Sequence, residues 1–209
     1  SKSGERTRKV LVVIQYTASM ILLCGTLIVF AQLSFMRNQS LGVKTGQTLV
    51  VKFPGHTEGM NTKLEAMKKA ISRLPLVHKV TFSGAVPGEE VATFLSNRRT
   101  NDALKQNRLY EMLACDPDYV DAYGLTVVAG RGFSEEYGDD VDKLVINETA
   151  VRNLGFTSND EAIGQQVTVE CTDAPMQIIG VVKDYHQQAL SKNYTSIMLI
   201  HKDKIDWLP

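Results

Sequence analysis

Two groups of closely spaced aspartates are the first places in this sequence where chemistry could reside. Asp116, Asp118 and Asp121 form one group, and Asp139, Asp140 and Asp142 the other. Carboxylates this close can hold calcium, but a calcium loop alternates its acids about a central glycine and ends on a distant glutamate. Neither group has that pattern, so the first reads as a helix cap and the second as a solvated loop. Gly130-Arg131-Gly132 has the look of a phosphate loop. The third glycine of that motif would fall at Glu135, next to Glu136, where two acids would repel phosphate. It reads instead as a turn out of a strand. The four histidines, His56, His78, His186 and His201, lack metal-binding spacing. Asp184, His186 and Ser191 are the residue types of a hydrolase, yet no GxSxG elbow supplies a nucleophile. The reading is of a chain with no catalytic residue, no cofactor site and no metal site.

What the sequence does display is an anchor. Val10–Phe30 is a run of 21 residues without a charged side chain. As a helix it would be roughly 31 Å long, which matches the hydrocarbon core of a bilayer. Lys2, Arg6, Arg8 and Lys9 precede it against the single acid Glu5, and the next charge after it is Arg37. Positive charge stays cytoplasmic, so residues 1–9 read as inside and everything from about residue 40 as outside. A cleaved signal has a similar layout, but its apolar stretch is shorter, 7–15 residues as a rule. Gln15, Ala18, Ser19, Leu22, Gly25 and Thr26 fall on one stripe of the helix. Small and hydrogen-bonding residues on one face suit contact with other membrane helices. Tyr16 and Thr17 lie off the stripe, and a lone anchor with scattered polar residues is the alternative.

The 23 basic and 23 acidic residues form no long block of one sign, and nothing suggests nucleic acid. Three cysteines are too few for a disulfide scaffold. Cys24 lies in the anchor, while Cys115 and Cys171 lie outside it and read as separate buried thiols. Starting without methionine, the chain reads as a piece of something longer.

Beyond the anchor, residues 31–42 read as a stalk that continues the helix, followed by one domain over residues 43–209. Thr48–Phe53 alternates as a half-buried strand. Met60, Leu64, Met67, Ile71 and Leu74 make one apolar helix face over roughly residues 58–74, closed by Pro75. Val77–Ser83 reads as a second strand, so residues 48–83 would form a βαβ unit. Residues 84–107 are polar and resist assignment, as an inserted lobe or a long hairpin. Strands follow at Arg108–Cys115, Leu125–Ala129 and Lys143–Asn147, with a helix from Asp116-Pro117 to Tyr123 and another over residues 148–154. Val167–Cys171 and Gln177–Lys183 would pair about a Thr172–Pro175 turn, and Ser196–Ile200 closes the series. The class is α+β.

Several short motifs resemble a known family. Pro117-Asp118-Tyr119, Gly124-Leu125, Ala129-Gly130-Arg131 with Phe133, Val145–Ala150, Leu154-Gly155, Ile163-Gly164 and Ile179–Asp184 occur in the order found in MacB/FtsX-type ABC transporter permeases. They are similar to the periplasmic core domain of those proteins. Arg8-Lys9, Leu11-Val12-Val13, Gln15, Ser19, Gln32-Leu33 and Leu41-Gly42 resemble the membrane helix that precedes it. The resemblance implies a porter-like βαβ lobe with a second lobe inserted, and a mechanical role. ATP hydrolysis would belong to a separate or fused cytoplasmic ABC ATPase, and its movements would pass through the membrane helices to the outer domain. It also implies a bacterial inner-membrane location, contact with other permease helices or a second copy as a dimer, and an extracytoplasmic adaptor as a further partner. Gly124, Gly130, Gly155, Gly164 and Gly180 would serve turns or close backbone approach, and Asn147 would cap a helix. A single-span receptor with an outer ligand-sensing domain is the competing reading.

The charge asymmetry about Val10–Phe30 makes a direct prediction of topology. In intact cells, a thiol reagent that cannot cross the membrane should label a cysteine placed in residues 85–107 and spare one placed at Ser3. The reverse pattern contradicts it.

Overall fold

A computed structural model describes residues 2–39, 41–53, 60–101, 106–170, 172–188 and 192–204. Two units result, residues 1–40 and residues 41–209. The first is a single helix, α1 (Lys2–Asn38), which takes in the basic start, the apolar run and most of the expected stalk. Gly4–Met36 is long and apolar enough to cross a membrane, and none of it is buried within the chain.

The second unit contains α2 (Met60–Ile71), β1 (Phe94–Arg99), β2 (Arg108–Cys115), α3 (Tyr119–Ala122), β3 (Val127–Gly130), β4 (Lys143–Asn147), α4 (Glu148–Asn153), α5 (Asn159–Ala162), β5 (Gln166–Val169), β6 (Met176–Val182) and β7 (Ile197–His201). It is mixed α+β. The seven strands lie in the order β3-β6-β4-β7-β2-β1-β5, and β5 returns to pair with β6. That last pairing closes six strands into a ring and leaves β3 as an outlier on β6. The β2–β7 and β4–β6 pairs are parallel, and the other ladders are antiparallel. β6 serves two neighbours along one edge. Its start pairs with β5 through Met176 and Gln177, and its end with β3 through residues 180–182.

Both faces of the central strands are covered, which is why Lys143–Asn147 and Ile197–His201 read as nearly unbroken apolar runs. One face carries Leu144, Ile146, Ile178, Met198 and Ile200, packed with Met112, Val167 and Met176 and with Val151, Leu154 and Phe156 from α4 and the residues after it. The opposite face carries Val145, Leu199 and Leu113, packed with Tyr119, Tyr123, Phe133 and Tyr185. Each such fully buried aliphatic side chain stabilises the fold by roughly 1.5–3 kcal/mol. Asn97 is the polar exception on β1. Its amide nitrogen lies 3.2 and 3.3 Å from the Met112 and Met198 sulfurs, and its oxygen accepts from the Glu170 N–H at 3.4 Å.

Several expected elements need correction. Thr48–Phe53 forms no strand; Leu49 is 87% exposed and Val51 61%. Val77–Ser83 is also not a strand, apart from a single bridge from Ser83 to Cys115. Of the expected βαβ unit only the helix is present, shortened to α2. Alternation decides which side of a strand is apolar, but a strand also needs a neighbour to take its N–H and C=O groups. Among the described residues nothing lies in register with 48–53. The unassigned stretch 84–107 supplies β1, which pairs with β2 as the long hairpin, Phe94 opposite Glu111. Helix α3 starts at Tyr119, and Asp116 does not cap it with its side chain. Cys115 is a buried free thiol, while Cys171, like His56 and Ser191, lies outside the described residues.

The tightest backbone approach joins β3 to β6 at Gly130 and Gly180. A Cβ at Gly180 would sit 1.9 Å from the Arg131 carbonyl oxygen, and one at Gly130 would sit 2.1 Å from that of Ile179. No L side chain fits either place without separating the strands. Gly180→Ala should therefore destabilise the domain by about 3 kcal/mol or more. Gly155→Ala, with open space about it, should cost only the ~1 kcal/mol of a left-handed backbone. Denaturant unfolding of both variants checks the contrast, and equal losses contradict it.

Candidate functional site

The chain leaving β6 crosses the domain as a strap, residues 183–188, which the motif residues Glu148 and Thr149 bind directly. The reason begins with α4. A helix starts with N–H groups that have no partner in the helix and with a partial positive charge, so it attracts acceptors and carboxylates. Asn147 is its N-cap; the side-chain oxygen accepts from the N–H of Ala150 and from that of Ile197, each at 3.0 Å. The Asn147 amide donates to the Thr195 carbonyl at 2.8 Å. Asp184 completes the helix start from the strap. Its carboxylate accepts from the Thr149 N–H at 2.8 Å, the Thr149 hydroxyl at 2.9 Å and the Arg152 guanidinium at 2.8 Å. The Asp184 N–H donates in return to Glu148 at 3.1 Å.

The residues that follow grip three other parts of the domain. The His186 N–H donates to the Leu41 carbonyl at 2.9 Å, and the Lys44 N–H to the Tyr123 carbonyl at 2.8 Å. Residues 41–44 open the second unit, so the strap and the end of α3 hold the point where the chain enters the domain. Gly42 has φ +77° there, and a Cβ on it would lie 3.0 Å from that of Tyr185. Gly124, with φ +59°, lies under the Lys44 side chain, which a Cβ would meet at 2.8 Å. The Gln187 side chain donates to the carbonyls of Val86 and Glu89, and its backbone carbonyl accepts from the Gly88 N–H. Gln188 donates to Glu111 at 3.0 Å, which also accepts from the Thr195 hydroxyl at 2.9 Å. The His186 ring lies against Tyr194, 4.5 Å between centroids.

This junction is electrostatically unusual for a domain surface. Glu111 is buried on β2 beneath the strap. Burial raises its pKa, the Thr195 and Gln188 hydrogen bonds offset part of that, and Glu90 raises it while Lys192 lowers it. Tyr119 and Tyr185 are buried together, and burial pushes both phenols well up. Neither hydroxyl, nor the Gln187 side-chain oxygen, reaches a well-aligned hydrogen bond among the described residues. Tyr110, under the opposite face, is pushed up to about 12 by burial, with Arg108 acting against it.

The other expected positions lie apart from the strap. Gln15, Ala18, Ser19, Gly25 and Thr26 lie on α1, exposed, and the Thr26 hydroxyl donates back to the Leu22 carbonyl at 2.8 Å. Gly155 and Gly164 take left-handed backbone after α4 and α5. The two aspartate groups are not simply cap and solvated loop. Asp116 is fully buried and accepts from Lys68 at 2.6 Å and Thr81 at 2.5 Å. Asp140 is buried and takes a bidentate Arg131 at 2.6 and 2.8 Å, which holds its pKa below the ordinary carboxylate range. Arg131 thus closes the loop after β3, stacked on the Tyr137 ring. Among the described residues no group of three or more His, Cys, Asp or Glu could hold a metal ion. Sequence reasoning missed Glu111, Gln187 and the tyrosine pair; a glutamate inside the apolar run of β2 was the one available signal.

The pH dependence of Glu111 follows from its sign. A glutamate whose folded pKa is raised holds protons that the unfolded chain releases, so stability falls as pH rises from the ordinary carboxylate range towards the raised value. Glu111→Gln should remove that slope and leave the domain folded. Thermal unfolding between about pH 4 and 7 measures it, this being the range just above the usual glutamate pKa; an unchanged slope contradicts the assignment.

Comparison with known proteins identifies the family. The profile of the MacB-like periplasmic core domain matches residues 18–203. The periplasmic region of MacB from Actinobacillus actinomycetemcomitans is 19% identical; the match covers 73% of this chain and 64% of that one, with a TM-score of 0.44. The extracellular domain of the noncanonic ABC-type transporter YknZ from Gram-positive bacteria is 18% identical, over 66% of this chain and 62% of that one, with a TM-score of 0.47. The chain thus spans less than two thirds of those structures. No curated protein is significantly similar to it in sequence. With a profile match that runs from within the apolar helix to the end of β7, this chain belongs to the MacB-like periplasmic core domain family of ABC transporter permeases.

Proposed function

We propose that this chain is the part of an ABC transporter permease that carries ATP-driven movement out of the membrane. Residues 1–9 are cytoplasmic, 10–30 span the bacterial inner membrane, 31–42 are the stalk and 43–209 the periplasmic domain. A cytoplasmic ABC ATPase supplies the energy. The stripe of Gln15, Ala18, Ser19, Gly25 and Thr26 meets other permease helices or a second copy, and an extracytoplasmic adaptor is a further partner of the domain. The chain itself performs no catalysis and moves a substrate by changing position.

The observation that supports this reading most is the hold on residues 41–44. A domain that only sensed a ligand could hang from a loose tether. Here the residues next to the membrane helix are tied by backbone hydrogen bonds to the strap and to the end of α3. The strap is tied in turn to α4 and β2. A displacement that reached residues 41–44 would pass directly to the strap and to the end of α3. Gly124 and Asp184, both within the family's motifs, stand at this connection.

Slack should therefore uncouple the system. A flexible insertion of about ten glycine and serine residues after Ser40, at the boundary of the two units, would absorb motion without altering either. In the assembled transporter the insertion should abolish the transport-dependent phenotype while nucleotide hydrolysis by the ATPase continues. Full transport through the slack connection contradicts a mechanical role, as does loss of function from one surface polar substitution in a domain shown to be folded and assembled.

A further inference from the structure

Helix α2 is joined to the rest of the domain mainly by charge. Of its apolar face only Leu64 is buried among the described side chains; Met67 and Ile71 are half-buried, and Leu74 beyond the helix is exposed. Ionic contacts take the place of apolar packing. Lys68 bridges Asp116 at 2.6 Å and Asp118 at 2.5 Å, just before α3. Glu65 pairs with Lys202 after β7 at 3.1 Å. Lys79, on the segment leading away from the helix, reaches Asp118 at 3.6 Å and also Asp121. Thr81 donates to the buried Asp116 from the same segment.

Between α2 and the sheet lies a cleft of about 570 Å³. Thr62, Glu65 and Lys68 form one wall, and Asp139, Asp140 and His201–Asp203 contribute to the other. Its strongest charges are already engaged. Lys68 and Lys202 are held within the domain, with 16% and 11% of their side chains exposed, and Asp140 is taken by Arg131. Burial alone would pull both lysines down, but their acidic partners outweigh it and leave each above the ordinary lysine range. The lysines thus stay charged at any physiological pH. The Glu65–Lys202 pair joins the two walls to one another instead of presenting a charge to a ligand.

We propose that these pairs are an ionic latch. The arm from α2 through Thr81 docks on the segments that follow β2 and β7 by Lys68–Asp116, Lys68–Asp118 and Glu65–Lys202. It swings away, widening the cleft, when those pairs break. The point of return is Ser83-Gly84, where the chain rejoins β2 through the Gly84 N–H to the Ala114 carbonyl and the Asp116 N–H to the Phe82 carbonyl. An ion-pair attachment suits a movable part. It re-forms without having to exclude water from a large apolar surface, and it is weakened selectively when one charge of a pair is removed. The inference stands apart from the transport reading, because it concerns this chain alone.

Hydrogen exchange on the full chain in a lipid nanodisc tests it. Amides of α2 should exchange by local opening, ahead of those of β4 and β7. Glu65→Gln and Asp118→Asn should each speed α2 exchange about tenfold and leave β4 and β7 unchanged. Lys69→Gln, at an exposed lysine of α2 outside these three pairs, should not. Asp116 is left untouched, since a change at a fully buried carboxylate unfolds a domain more readily than it opens one arm. Three results would overturn the latch: α2 exchanging in step with the sheet, α2 indifferent to both variants, or Lys69→Gln speeding it as much as they do.

Discussion

The carboxylate of Asp184 is the contact on which the strap and everything it holds depend. It supplies acceptors to the first turn of α4 and a partner to Arg152, and by doing so fixes the chain where it leaves β6. A charge-assisted hydrogen bond to a helix start is among the stronger polar interactions available to a partly buried group. Once Asp184 is fixed, Tyr185 must enter the second core cluster and the His186 N–H must face Leu41. Gln187 and Gln188 then fall over the 86–90 turn and over Glu111. Four otherwise separate pieces of chain meet at five consecutive residues.

The sheet beneath gives this arrangement something rigid to bear on. A closed ring of strands has no free edge along which to slide, and its two apolar clusters share Val145 and Leu144, or Leu199 and Met198, as back-to-back neighbours. Polar groups inside such a body are costly unless partnered. Asn97, Glu111, Asp116 and Asp140 are partnered, and each ties a loop or an adjoining strand to the ring: β5, the strap, the α2 arm and the 131–140 loop respectively. Attachment by buried polar groups at the periphery and by apolar packing at the centre gives a stiff middle with separately held parts.

How much of this could be read in the residues depends on the range of the interaction. Strands β2, β4, β6 and β7 were legible because a strand buried on both faces needs a continuous apolar run, and α4 because Asn147 and Gly155 bracket it. The family motifs were legible as a series, though not as a site: nothing in Ile179–Asp184 announces that Asp184 reaches back to Thr149, 35 residues earlier. The strands expected at Thr48–Phe53 and Val77–Ser83 failed for the complementary reason. Their alternation is real, but pairing depends on a neighbour that local sequence does not specify. Strand β1 was hidden because Ser96, Asn97, Arg98 and Arg99 look like loop, and only closure against β5 buries Asn97. The two aspartate groups read as a helix cap and a solvated loop because burial of Asp116 and Asp140 depends on Lys68 and Arg131, one of them 48 residues away.

The central claim is that the entry of the chain and the sheet move as one body. Spin labels at Thr45 and at the exposed Asp160 of α5 in the assembled transporter, with their separation measured by pulsed electron resonance in nucleotide-free and ATP-bound states, test it most directly. One narrow distance distribution that does not change between states is expected, while a label in the stalk moves relative to the cytoplasmic side. A distribution between Thr45 and Asp160 that broadens or shifts with nucleotide would show that the junction yields, and would contradict it.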